Sequence, residues 1–237
     1  TLLHLICKRK PPISIEWTIS IAKKLIEKGA DTNIPDKYNR IPLHYAVIIE
    51  GNDICDHHRD ESISTEKFVN LIKLLLDYGS DPNFEDNEGI TPFHSLYIEN
   101  LKHTVVSGFQ STRLTQSAVN FRSVYEAATL LIKQGGDINK KIPENYTEFW
   151  HRGSGYQPFR YSNKSVIDIV KFVYNYKFSG HHPGFGLRNI IEDMEKIYNE
   201  VEPKRLELIK YRERVKELRQ RKKHNIEQGA YTVSYTH

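Results

Sequence analysis

The stretch ICDHHRDESISTEK, residues 54–67, puts Cys55, His57, His58 and the acids Asp56, Asp60 and Glu61 within eight residues. Thiolate, imidazole and carboxylate are the groups that bind zinc, but a structural site draws four ligands from two separated pairs. Cys55 with His57 or His58 supplies one pair, and the distant imidazoles, His181 and His182 of GHHPGFG, would have to meet it in space. The composition is that of a solvated loop running into a helix expected over 65–78, with Ser64 or Thr65 placed as its N-cap. Neither a metal nor a cofactor is expected.

Three other histidines, His4, His44 and His94, recur in similar settings, yet no nucleophile motif accompanies them. Gly-x-Ser-x-Gly, His-Glu-x-x-His and Gly-x-x-x-x-Gly-Lys are all absent. SGHHPGFG lacks the lysine of a phosphate-cradling loop and reads as a turn. No catalytic residue is assigned, and the chain is not expected to be an enzyme.

The elements that carry these residues are repeated. KLIEKGADTN at 24–33, LLLDYGSDPN at 74–83 and LLIKQGGDIN at 130–139 share one pattern, phased to TLLH at 1–4, IPLH at 41–44 and TPFH at 91–94. From Gly29 to Pro42 is 13 residues, and from Gly79 to Pro92 again 13. Inside the repeats the interval varies: Leu2 to Gly29 is 27, Pro42 to Gly79 is 37 and Pro92 to Gly135 is 43. The motifs resemble those of the ankyrin repeat, a Thr-Pro-Leu-His start and a Gly-Ala-Asp-x-Asn finish, whose usual period is about 33 residues. Ile41 and Leu2 depart from that pattern, standing where the family has Thr and Pro.

The resemblance implies an all-α solenoid of helix pairs with short β-hairpin loops, plus C-terminal helices. Pro42 and Pro92 suit first helical turns, where a missing N–H costs nothing. Apolar residues at helical spacing mark second helices through Ile19, Ala22, Leu25 and Ile26, through Phe68, Leu71, Ile72 and Leu75, and through Val124, Ala127, Ala128 and Leu131. Gly29, Gly79 and Gly135 are placed to end them, and Gly89 and Asn39 to turn the loops, because both residue types tolerate positive φ. Residues 1–140 hold three such repeats, the first truncated. Residues 141–202 hold a degenerate fourth, SVIDIVKFV at 165–173, and a capping helix patterned on Leu187, Ile190, Ile191, Met194, Ile197, Tyr198 and Val201. Pro203 separates these from a basic helix and tail over 203–237. The resemblance is good to residue 140, weak to 200 and absent beyond.

Net charge is +4, but residues 203–224 hold ten Lys/Arg against three Asp/Glu, so this segment carries +7 and the remainder −3. The alternation of Glu207 with Lys210, Glu213 with Lys216 and Glu217 with Arg221 suits a solvated helix. Lys204, Arg205, Arg219, Arg221, Lys222 and Lys223 form a basic patch, and Leu208, Ile209, Val215 and Leu218 a thin apolar seam. An import signal, a phosphate-backbone contact and a partner helix all stay open for it, but without aromatic interleaving sequence-specific nucleic-acid recognition is not expected. Two cysteines make no disulfide framework, which points to the cytoplasm or nucleus. No apolar run reaches the roughly 20 residues that cross a bilayer, so no membrane role is expected. The chain opens at Thr1 inside a motif, so a piece of a longer protein is expected.

What the resemblance implies for function is a scaffold, expected to be monomeric, that binds a protein partner on its concave face. The partner-facing positions it carries over are Lys37, Tyr38, Arg40, Ile48 and Ile49 in the second repeat and Asn87, Glu88, Ile90, Ile98 and Glu99 in the third. Aromatic, Arg and aliphatic anchors dominate interfaces, so Tyr38, Arg40 and the paired isoleucines lead this set. The long insertions are either a second binding edge or tolerated padding. A non-catalytic part of a larger enzyme or effector, or a nucleic-acid-associated protein using the tail, are the alternatives.

Overall fold

The structure, a computed structural model, describes residues 1–8, 14–48, 61–106, 114–147, 149–150, 159–178 and 187–233. Among these the chain is mostly helical. In order come α1 (Leu2–Cys7), α2 (Ile15–Glu27), α3 (Pro42–Ala46), α4 (Glu61–Asp77), α5 (Pro92–Val106) and α6 (Leu114–Lys133). A two-residue antiparallel ribbon follows, β1 (Phe149–Trp150) with β2 (Phe159–Arg160), in which Phe149 faces Arg160. The chain then continues through α7 (Val166–Phe178), α8 (Leu187–Val201) and α9 (Arg205–Val233).

Two layers result. α1, α3, α5 and α7 pack in succession to form one, and α2, α4, α6 and α8 the other. Leu3, Leu43, Leu71, Leu75, Phe93, Leu96 and Leu131 are buried in the core between them. Each helix pair alone would leave an apolar flank in water, so burial depends on the neighbouring pair.

Local chemistry sets the ends. Pro42 opens α3, Ser14 accepts the Trp17 N–H at 3.3 Å to cap α2, and Ser165 and Asp168 cap α7 reciprocally. At the far ends Gly29, Gly79 and Gly135 have φ of +96°, +83° and +82°. There Ala30, Ser80 and Gly136 donate their N–H groups back to Leu25, Leu75 and Leu131 at 3.0, 3.0 and 2.8 Å, which occupies otherwise orphaned helix-end carbonyls. Two expectations need correction. α4 begins at Glu61, so Ser64 and Thr65 lie inside it and are not caps; residues 61–77 contain no Gly or Pro to stop the helix from extending. The loops after Gly29 and Gly79 form no strands: each is a tight turn with two backbone bonds, Asp36 N–H to Arg40 at 2.9 Å and Asn39 N–H to Asp36 at 3.0 Å in the first, Asp86 N–H to Ile90 and Gly89 N–H to Asp86 at 3.0 Å each in the second.

α8 packs on α6 and α7 with Met194 fully buried, and the Tyr97 hydroxyl donates to the Met194 sulfur at 3.5 Å. A 3-10 turn, Glu202–Lys204, carries Pro203 and leads into α9.

Candidate partner-binding surface

The loops are built on aspartates. Asp36 accepts the N–H groups of Tyr38 and Arg40 at 2.9 and 3.1 Å, and Asp86 accepts those of Glu88 and Ile90 at 2.9 Å each. Asn39 turns the first loop at φ +60° and Gly89 the second at +74°. Burial alone would raise the Asp36 carboxyl, but the Tyr45 hydroxyl, 2.6 Å away, and the backbone donors outweigh it and hold the group below its ordinary range.

Successive loops are tied together. Asn87 donates its N–H to the Tyr38 carbonyl at 3.0 Å, and the Asn39 amide donates to the Glu85 carbonyl at 2.8 Å. Beneath the tips Arg40 Nε donates to Asp86 Oδ2 at 2.8 Å, and Lys140 pairs with Glu85. Nearer the helix caps, Asn33 and Asn83 donate to the carbonyls of Gly79 and Gly135, each at 2.8 Å, and accept the N–H groups of Asp81 and Asp137, also at 2.8 Å.

The three histidines are part of this framework. His4, His44 and His94 place Nε2 at 2.8, 3.0 and 2.9 Å from the carbonyls of Arg40, Ile90 and Lys140. Nδ1 of His44 accepts the Ile41 N–H at 3.1 Å and Nδ1 of His94 the Thr91 N–H at 3.3 Å, so each ring is neutral with its proton on Nε2. Burial outweighs the carbonyl bonds and lowers both rings to about 4. These histidines tie each α-helical start to the next loop.

Of the positions expected to face a partner, Lys37, Tyr38, Asn87 and Glu88 stand exposed on the tips, with the Lys37 ammonium 4.8 Å over the Tyr38 ring. Ile48 and Glu99 are half-buried. Three positions need correction. Ile90 and Ile98 are 3% and 1% exposed, because Ile90 closes its loop from beneath and Ile98 lies one turn from His94 on the same buried face of α5. Arg40 spends its guanidinium on Asp86, whose side chain is 2% exposed, so it braces two loops instead of offering a partner a cation. Ile49, Cys55, His57, His58, His181 and His182 lie outside the described residues. Among the described residues no three His, Cys, Asp or Glu side chains converge as metal ligands would.

The basic helix is docked rather than separate, which sequence reasoning missed. Arg205 Nη2 donates to Asp137 Oδ2 at 3.0 Å, and Arg212 Nη1 donates to the Gln134 carbonyl at 2.6 Å with Nη2 lying 3.6 Å from Asp81. Leu208 lies against Gly135 and Val215 against Gly79, where a Cβ would come within 3.4 and 3.2 Å of them. The signal was present as a seven-residue step, Arg205 to Arg212 and Leu208 to Val215. Lys204 and Arg221 are exposed; the side chains of Arg219, Lys222 and Lys223 lie outside the description. Among the described residues no helix is long and apolar enough to cross a membrane.

No family model matches the chain, and no curated protein matches it.

Proposed function

We propose that this is an ankyrin-type repeat protein acting as a non-catalytic scaffold, and that it holds a protein partner on the exposed loop tips formed by Lys37, Tyr38, Asn87 and Glu88. The observation that supports this reading most is the bracing of those tips. Asn87 and Asn39 lock one loop to the next at 3.0 and 2.8 Å while Tyr38 remains 51% exposed above them. An aromatic ring on a backbone fixed from below loses little freedom when it is covered, so most of its contact energy survives as affinity. Arg40 belongs to the brace, and the two buried isoleucines to the core.

The test compares proteins retained from extract by the wild-type chain, by Tyr38→Ala and by Glu88→Lys. The reading requires a partner that is kept by wild type, lost with either substitution and unaffected by Lys210→Ala on α9, with all melting temperatures equal. A partner retained by both tip variants refutes it.

A further inference from the structure

α9 carries more apolar seam than the stack uses. Leu208, Tyr211, Val215 and Leu218 recur at intervals of three, four and three, the spacing by which one helix packs along another. Leu208 and Val215 are spent on the cap glycines Gly135 and Gly79, and both are half-buried. Tyr211 and Leu218 lie about 60° further round the helix, seven residues apart, and remain 51% and 58% exposed. Their line flanks the contact with the stack, so a second helix laid beside α9 would cover it.

The charges beside the seam are sorted. Arg205 and Arg212, on the far side of Leu208 and Val215, are directed to Asp137 and Asp81. On the solvent side Arg214 stands one turn from both Tyr211 and Leu218, and Arg221 one turn beyond Leu218, and both arginines are exposed. The same seven-residue line begins at Glu207, which leaves it with two cations to one anion. A guanidinium is weakly hydrated and offers a carboxylate two parallel N–H donors, so these arginines suit acids carried next to an aliphatic stripe. A lipid surface fits this edge less well, because half of the seam is turned to the stack and Glu213 and Glu217 stand exposed on the remaining faces of α9.

We propose that the Tyr211–Leu218 edge of α9 docks an acidic amphipathic helix of a protein partner, with aliphatic side chains against Tyr211 and Leu218 and carboxylates against Arg214 and Arg221. The stack fixes α9 from one side, and the incoming helix completes the seam from the other. This edge is distinct from the loop tips and does not depend on their binding a partner.

Fluorescence anisotropy with the whole chain tests this. The probes are a labelled designed heptad peptide with Leu at a and d and Glu at e and g, the same peptide with Lys for Glu, and vesicles of phosphatidylserine. Wild type is expected to bind the acidic peptide and not the basic one. Arg214→Glu with Arg221→Glu should weaken the acidic peptide about tenfold or more and admit the basic one. Tyr211→Ala with Leu218→Ala should weaken it as much, whereas Leu206→Ala, 61% exposed on another face of α9, should not. Melting temperatures of all variants should match wild type, since each of these side chains is exposed. The proposal fails if the acidic peptide does not bind, if reversing the two arginines leaves its affinity unchanged, or if Leu206→Ala weakens it as much as the Tyr211 and Leu218 pair. Vesicles held through Tyr211 and Leu218 while the peptide is ignored would overturn it in favour of a membrane.

Discussion

His44 Nε2 lies 3.0 Å from the carbonyl oxygen of Ile90, forty-six residues further on, while its Nδ1 accepts the N–H of Ile41 at 3.1 Å. A ring with one donor and one acceptor nitrogen satisfies both contacts only when neutral. Protonation would turn the second contact into a clash of two donors inside a buried site.

That tautomer predicts acid sensitivity. The folded ring is lowered to about 4, whereas an unfolded imidazole takes a proton near 6.5. A folded value below the unfolded one means that the contribution is fully present above pH 6.5 and disappears as pH falls toward 4. For His44, facing Asp86 and Arg40, the loss is on the order of 3 kcal/mol. His94, facing Lys140, Asp137 and Glu85, works in the same direction. Urea midpoints measured from pH 7.5 to 4.5 should decline, and His44→Gln, less stable at pH 7.5, should decline less. Parallel curves for the two proteins would exclude His44 as the titrating group.

Arg40 and Asp86 give a second prediction. The pair is charge-assisted and half shielded, the carboxylate buried and the guanidinium side chain 29% exposed. Arg40→Ala leaves Asp86 without its cation and should cost about 1–3 kcal/mol in urea unfolding, more than a surface arginine lost in isolation. Tyr38→Ala, 51% exposed, should stay within about 0.5 kcal/mol of wild type. Equal effects would mean that the Arg40 brace carries no load.

These residues also show what was legible in the sequence. The loop and cap framework could be read in advance because its residues stand at fixed short offsets, Gly to Asp to Asn and Thr or Ile to His, and each offset reflects a local hydrogen bond such as Asp81 to the Asn83 N–H at 3.0 Å. Burial of Ile90 and Ile98 was not legible, because it depends on which side of a loop or helix meets its neighbour. The docking of α9 was hidden for another reason: its inward arginines sit among Glu and Lys at spacings that equally describe a helix in water, and only their seven-residue match to the cap aspartates distinguishes them.

Gly29 and Gly89 separate two costs that a glycine can hide. Both have positive φ, +96° and +74°, but among the described residues nothing lies within 4 Å of a Cβ at Gly29, whereas one at Gly89 would run into the Pro143 ring. Gly29→Ala should lose about 1 kcal/mol from backbone strain alone. Gly89→Ala should lose that and the cost of moving Pro143 as well, and Gly89→Ala with Pro143→Ala should recover the difference. Equal melting temperatures for the two single alanine variants would show that the proline yields freely.

Arg212 joins α9 to the stack, since it reaches the Gln134 carbonyl of one helix end and Asp81 beside the next. Burial lowers its pKa, and the nearby Asp81 carboxylate opposes that shift without cancelling it, while the same guanidinium donates to the Gln134 carbonyl at 2.6 Å. Lysine in its place keeps the charge but has one nitrogen for two partners 2.6 and 3.6 Å from separate guanidinium arms. Arg212→Lys should therefore lose stability almost as Arg212→Met does, roughly 1–2 kcal/mol in a thermal melt. Salt should change little, because a carbonyl contact is not screened as an ion pair is. A lysine variant as stable as wild type would instead make charge alone the holding force at this joint, and high salt would then loosen it.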